Sequence, residues 1–529
     1  MEPIGADSTW INDATRASSL NSVTTDGLDV IVIGGGITGA GVALDAASRG
    51  LSVALLESRD LASGTSGYSS KLAHGGLRYL AKLDFAVAWE SAVERRWLMT
   101  EIAPHLTRPL GFLVPFTSDG SRLGSGSVRA AVAVYDILRR LSGLRSAVLP
   151  RPRVVSSETA HALVPGLRAE KLRGGLLYWD GQLEDDVRLV LAVARTAARL
   201  GAHILRDTRV TSASGTHVDA VNERTGEILR LTAGAVINAT GVWAPDFEPD
   251  LPMTRSRGTH LVVRAERLGN PRMAYTVAVP GAFGRHVFVL PQGSGLAYVG
   301  LTDDEDGTSD GYGPLAAERD IDFLLEVVNT TMADPLSRDD VVGAFAGLRP
   351  LVGAKRGARS GTSDISRRHI VVDTPGKPIT VVGGKLTTYR RMSEDAVDAA
   401  VGRLGLDRTS PTRRLALVGA AKPERLAATR APERLVRKYG TEAEIVHSLA
   451  RLDPSLSEPV FSGTSVTGAE LLFGVLAEGA SSADDLLFRR TRLGLVPADA
   501  ARARQRAEEI LAFAQRQLPH GQHFEGPTP

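Results

Sequence analysis

The sequence predicts an α/β + α chain. A dinucleotide-binding domain on a parallel sheet carries an inserted antiparallel-sheet domain, and a helical cap follows. Three observations predict this. A buried strand runs into a glycine turn and a helix near the start of the chain, within residues 28–57. Two further buried strands ending in glycine follow at 235–241 and 378–384, with more polar, alternating segments between them. From about Ala420 to residue 517 the pattern becomes helical and amphipathic, and glycine falls away.

In the first stretch, LDVIVIGGGITGAGVALDAASRGLSVALLE, the β-branched run Val30–Ile33 predicts a strand. A helix is expected from Ile37 to Ser48, stopped by Gly50, and a second strand from Ser52 to Leu56, ending in Glu57. Gly34, Gly36 and Gly39 form G-x-G-x-x-G, and Glu57 lies 18 positions after the last glycine, close to the ~20 of a dinucleotide fingerprint. Gly34 permits the tight turn, Gly36 lets a pyrophosphate approach the backbone, and Gly39 lets helix and strand pack closely. The helix start offers free N–H groups and a positive dipole end. Glu57 is expected to accept hydrogen bonds from ribose hydroxyls.

NAD and FAD proteins share this unit, and two later features favour FAD. Gly241 ends the strand in NATGVWA, and Gly384 precedes a helix in VVGGKLTTYRRM. A helix start at Lys385–Thr388 would stabilise negative charge on a reduced flavin. The segment SSKLAHGGLRYL, residues 69–80, places cations around Gly75 and Gly76, as expected where a backbone closely approaches an anionic partner. Residues 128–145 read as a basic amphipathic helix. Val128, Val132, Tyr135 and Leu138 share a face flanked by Arg129, Arg139, Arg140 and Arg145, which is expected to rest on an anionic leaflet.

Composition narrows the chemistry. The 529 residues exceed one ordinary domain, and 62 basic against 60 acidic side chains argue against a dedicated nucleic-acid binder. The chain has no cysteine, which excludes disulfides, thiolate metal sites, iron–sulfur clusters and cysteine nucleophiles. No metal site is assigned. Redox chemistry must come from an organic cofactor or from a metal held by His and carboxylates. Residues 1–26 are polar, lack a signal-peptide core and read as a flexible tail. No apolar run reaches the ~18 residues of a membrane span. The chain is therefore expected to be cytosolic or peripherally attached. Motifs for serine hydrolases, zinc proteases and P-loop enzymes are absent.

Together, IGGGITGAGVALDAASRGLSVALLE, GTSGYSSKLAHGGLRYL, VINATGVWA, FAGLRPL and GGKLTTYR resemble the FAD-dependent glycerol-3-phosphate dehydrogenases of the aerobic, respiratory kind. The likeness runs from about residue 28 to 400 and continues more weakly to LLFRRTRLGL, which looks like that family's helical cap. It implies a glutathione-reductase-like FAD-binding domain with an inserted substrate domain. The expected division is 27–110, 165–250 and 345–410 for FAD, 111–164 and 251–344 for substrate, 411–518 for the cap and 519–529 for a flexible tail. It also implies oxidation of sn-glycerol 3-phosphate to dihydroxyacetone phosphate, with hydride passing from C2 to N5 of non-covalent FAD. Electrons would then go to membrane quinone from a cytoplasmic, peripherally associated enzyme, expected as a homodimer.

On this resemblance His260, Arg349 and Lys385 are the catalytic candidates. Arg78 and Arg349 are expected to bind the phosphate and substrate oxygens, joined by Tyr79. His260 is the expected acceptor of the C2 hydroxyl proton, and Lys385 is expected between flavin and substrate oxygen. Cofactor contacts are expected from Gly34, Gly36, Gly39, Glu57, Ser69, Ser70, Lys71, His74, Gly75, Gly76, Val210, Gly241, Gly384, Lys385, Leu386 and Thr387. One departure is Leu301, where the family often carries a threonine. An oxygen-using relative, an amine or amino-acid oxidase, and a non-catalytic dinucleotide scaffold remain open from the residues.

Overall fold

Four strands run parallel side by side at the centre of the first domain: Ile379–Gly383, Ile228–Asn238, Leu28–Ile33 and Val53–Leu56. His203–Leu205 extends the sheet beyond Val53–Leu56, and His369–Val372 closes the other edge antiparallel. The structure, a computed structural model, describes residues 9–80, 84–118, 122–282, 284–307, 311–353 and 368–517. The central strands are buried on both faces, which is why they read as continuous apolar runs rather than alternating ones. Helix Ile37–Ser48 packs on this sheet between helices Asp186–Arg199 and Tyr389–Arg403. The strands end together at Ile33, Leu56, Asn238 and Gly383, so their carboxyl edge forms the crevice where such sheets bind ligands.

The second domain is a ten-stranded, mostly antiparallel sheet. Its longest pairings are Thr107–Thr117 with Leu172–Leu183 and Met253–Arg264 with Val341–Val352. This corrects three expected boundaries. Thr107–Thr117 crosses the one placed after residue 110, and Val341–Val352 crosses the one placed at 345. Leu172–Leu183 belongs wholly to the second sheet, although it was expected in the FAD domain. Its burial on both faces gives it the apolar look of a parallel strand, and sheet membership is a non-local property.

The N-terminal segment also departs from expectation. Asn12 caps a helix over Asp13–Thr25. Trp10 and Ile11 are buried, and Arg16 donates to the Arg206 carbonyl (2.7 Å) and to Asn222 Oδ1 (2.8 Å). Its low amphipathicity hid this helix, which is held by buried Arg16 and Val23, by Asp13 pairing with Arg206 and Arg224, and by the residues before its cap. Residues 1–8 and the expected tail 519–529 lie outside the described residues. The cap region is helical as expected, from short helices such as Glu433–Tyr439 to the long Pro497–Gln517, around its own apolar core.

Helix Arg122–Leu141 contains most of the expected surface helix. Val132 and Tyr135 are buried, and Val128 and Leu138 pack beside them in the second domain's core. The face expected on a membrane is therefore turned inward. The side chains left exposed on this helix include Ile137 and Leu141, and the helix Phe85–Trp97 that packs against it leaves Phe85 and Trp89 exposed. No helix among the described residues is long and apolar enough to cross a membrane.

Candidate active site

A cavity of about 770 Å³ lies along the carboxyl edge of the parallel sheet and continues under the second sheet. Its first end is built by the fingerprint. Gly34 sits at φ +104°, and a Cβ there would lie 2.9 Å from the Ala239 carbonyl oxygen. A Cβ on Gly39 would lie 1.8 Å from the Gly34 carbonyl oxygen, so the helix can approach the strand only with glycine there. Gly35 N–H donates to Glu57 Oε2 at 2.6 Å, and Arg59 N–H to Glu57 Oε1 at 2.8 Å. Burial pushes the Glu57 carboxyl up despite these bonds. Ile37 N–H, in the first turn of the helix, donates to Ser66 Oγ at 2.9 Å. Ser63, Gly64, Thr65 and Ser66 line the cavity beside that helix start, and Val210 and Gly241 line it further along.

The other end gathers side chains from distant segments. Pairing of Met253–Arg264 with Val341–Val352 sets His260 opposite Phe345 and Ser256 opposite Arg349. The His260 ring stacks on Phe345 at 4.8 Å. Its Nε2 lies 2.9 Å from Ser70 Oγ, while its buried Nδ1 has no hydrogen-bond partner among the described residues. Burial first, then Arg349 and Lys71, push His260 down to about 3, so the imidazole is neutral. The Arg349 guanidinium passes over Gly258, where a Cβ would lie 1.9 Å from Nη2. It pairs with Asp303 at 3.3 Å and also lines the cavity. Lys385 Nζ donates to Ser91 Oγ at 2.5 Å and sits 4.1 Å from the centre of the Tyr79 ring. His74, Gly76, Tyr79, Gly384, Leu386 and Thr387 complete this wall.

Three cofactor expectations are corrected. Lys71 does not line the cavity. Its buried ammonium lies 2.8 Å from Asp185 and 2.7 Å from Asp186, so its charge is already answered within the protein. Gly75 does not line it either. Gly75 N–H donates to Asp180 Oδ1 at 3.0 Å, and a Cβ there would lie 2.5 Å from Arg95 Nη1. The residue is small because a buried arginine lies against it. Ser69 does line the cavity, but its hydroxyl is used on Asp186 at 2.8 Å. Gly39, expected both to pack and to contact the cofactor, does not line the cavity and serves the close approach of helix to strand. Arg78 lies in the short helix Leu77–Leu80, and its side chain is outside the described residues.

The structure adds residues that sequence reasoning missed. Asp180 lines the cavity, pairs with Arg95 Nη1 at 2.7 Å and accepts from Gly75. Tyr135 joins it, accepting from Arg95 and from Gly75 N–H. Ser91 and Ser66 were also missed. Only Ser66 left a local signal, in the run SGTS just beyond Glu57. The chain's residues fit an extended dinucleotide. A helix start with a glycine cradle lies at one end, Glu57 lines the cavity beside it, and the buried Thr387 Oγ1 has no partner among the described residues.

Comparison with known proteins agrees with this arrangement. A family model described as FAD dependent oxidoreductase matches residues 29–390, and one described as C-terminal domain of alpha-glycerophosphate oxidase matches 383–522. Glycerol-3-phosphate dehydrogenase 1 of Mycobacterium tuberculosis is 46% identical over 508 residues, covering 95% of this chain and 98% of its own. Among solved structures, the glycerol-3-phosphate dehydrogenase from Bacillus halodurans complexed with FAD aligns with a TM-score of 0.74 at 26% identity, covering 96% of this chain and 95% of that one. The L-alpha-glycerophosphate oxidase from Mycoplasma pneumoniae shares the fold, with a TM-score of 0.56 at 20% identity over 74% of this chain and 99% of that one.

Proposed function

The chain belongs to the family of FAD-dependent oxidoreductases that includes the glycerol-3-phosphate dehydrogenases, and on that premise we propose that it oxidises sn-glycerol 3-phosphate to dihydroxyacetone phosphate and delivers the electrons to a membrane quinone. One observation carries the reading. Arg349, Lys385 and a neutral His260 all line one end of the dinucleotide cavity. A phosphorylated secondary alcohol asks for fixed cations and a proton acceptor there. FAD supplies the chemistry this chain lacks, a two-electron acceptor at ring N5 for the C2 hydride.

The chain's own residues do the rest. Arg349 holds the phosphate, its guanidinium fork fixed by Asp303 and by the strand pairing beneath it. His260 takes the C2 hydroxyl proton at Nε2, where Ser70 orients the ring. Lys385, steadied by Ser91 and Tyr79, would hold positive charge beside the substrate oxygen and would stabilise a reduced flavin when one is bound. Tyr79 contributes a hydroxyl to the substrate pocket. Exposed Phe85, Trp89, Ile137 and Leu141 on two helices that pack together, with exposed Arg129, Arg140 and Arg145, support peripheral attachment to an anionic leaflet at the cytoplasmic face.

Anaerobic titration with glycerol 3-phosphate tests the substrate. The flavin absorbance should bleach, and an unbleached band overturns the reading. The match of the C-terminal region to the alpha-glycerophosphate oxidase model supports a second reading, with oxygen as acceptor. Peroxide yield measured against reduction of a quinone analogue decides between them.

A further inference from the structure

The cap reaches segments that line the cavity in the short run Arg489-Arg490-Thr491-Arg492. Arg490 is buried and meets Asp60 with two nitrogens, at 2.7 and 2.9 Å, while Arg489 adds a third contact at 2.8 Å. Asp60 lies three positions beyond Glu57 and opens the loop that Ala62 N–H ties to the Gly35 carbonyl at 3.0 Å. That loop goes on to Ser63–Ser66 and to the Ser66–Ile37 bond at the helix start. A cap arginine therefore sits directly behind the pyrophosphate cradle.

Arg492 points to a different wall. Its backbone is left-handed, at φ +64°, and its guanidinium donates to the Gly67 carbonyl. It also lies 3.3 Å from Asp185 and 3.7 Å from Asp186. Asp186 accepts from Ser69 N–H at 2.9 Å, and both carboxylates hold Lys71. Between Ser69 and Lys71 stands Ser70, 2.9 Å from His260 Nε2. Four charged side chains thus fix the segment that orients the proposed proton acceptor, and one of them comes from the cap.

We propose that Arg490 and Arg492 are positioning residues of the flavin site with separate tasks. Arg490 fixes the Asp60–Ser66 loop at the pyrophosphate end. Arg492 fixes Gly67–Lys71 at the ring end, and through Ser70 it sets the orientation of His260. The cap is then a working wall of the site, although no residue of this run lines the cavity. The kinetic part of this assignment rests on the proposed reaction, and the FAD-binding part does not.

Four full-length variants test it: Arg490→Met, Arg490→Lys, Arg492→Met and Arg492→Lys. FAD affinity is read from fluorescence quenching on adding FAD to apoprotein, and kcat and KM are read with glycerol 3-phosphate at saturating FAD. Arg490→Met leaves Asp60 with weaker compensation and should weaken FAD binding about tenfold or more, with turnover recovered by excess FAD. Arg492→Met should lower kcat about tenfold while FAD affinity and KM stay within about twofold. Each Lys variant should recover part of its own loss, since the charge returns without the fork. If a Met variant does not fold, its Lys partner carries the comparison with a smaller shift in the same readout. Equal movement of FAD affinity and kcat in both positions, or of melting temperature alone, overturns the proposal. If wild type itself fails to turn over glycerol 3-phosphate, the substrate reading fails separately. The Arg492 assignment is then read from the ¹⁵N shift of His260 Nε2, which should move when Ser70 is released. An unmoved shift overturns it.

Discussion

At the ribose end of the cavity, Gly35 reaches Glu57 across 22 positions and Ile37 reaches Ser66 across 29. At the ring end, Arg95 reaches Asp180 across 85, Ser70 reaches His260 across 190, and Lys385 reaches Ser91 across 294. The first end is built round one supersecondary unit, and its contacts here run from backbone N–H groups to side-chain oxygens. The second is assembled from segments that meet only when both sheets have formed, and buried ion pairs hold it. Backbone recognition depends on glycines at fixed spacing, whereas the assembled end depends on desolvated charges that must be answered one by one.

The largest test of this contrast is Arg95→Met. Arg95 is fully buried, and losing it leaves the Asp180 carboxylate without its cation beside the Gly75 turn. Unfolding in urea should show a loss of about 3–5 kcal/mol, the cost of stranding one partner of a buried pair. A loss below about 1 kcal/mol would show that the ring end does not depend on that pair. A smaller and more local effect is expected from Arg349→Met. It should raise KM for glycerol 3-phosphate about 100-fold, or ~3 kcal/mol, through loss of a charged contact to phosphate. FAD binding at the other end should be unaffected. A parallel loss of FAD would mean that the two ends are not separable.

The same contrast explains what the sequence made legible. Strand, glycine turn, helix and acid lie within residues 28–57, so the elements and the turn between them could be read from spacing alone. The four parallel strands were visible as apolar runs, but the sheet to which Leu172–Leu183 belongs was not, because pairing is decided by distant partners. Lys71 looked like an anion ligand because a cation beside glycines has few other local readings. Its true partners, Asp185 and Asp186, stand more than a hundred positions away. Tyr135 looked like part of a membrane-facing stripe, since an amphipathic helix shows that it has an apolar face without showing what covers it. Arg349 and His260 were identified through family likeness, and the strand pairing now supplies the physical reason for their proximity.

The smallest effect concerns pH, and the two ends should respond with opposite sign. His260 is held down to about 3 from an ordinary value of 6.5. Its contribution to stability is therefore fully present above pH 6.5 and is lost as pH falls towards 3. Glu57 is raised, so its contribution is present below its ordinary value of 4.5 and is lost as pH rises through its folded value. His260→Phe keeps a ring against Phe345 but cannot titrate. Between pH 6.5 and 5, wild type should lose about 2 kcal/mol more than this variant, read from urea midpoints of the apoprotein at each pH. His105, also held down to about 3, titrates in both proteins and cancels in the difference. Parallel curves for the two proteins over that window would mean that His260 is not held below its ordinary value in the folded protein, and that the ring end does not desolvate it as its burial and its cationic neighbours require.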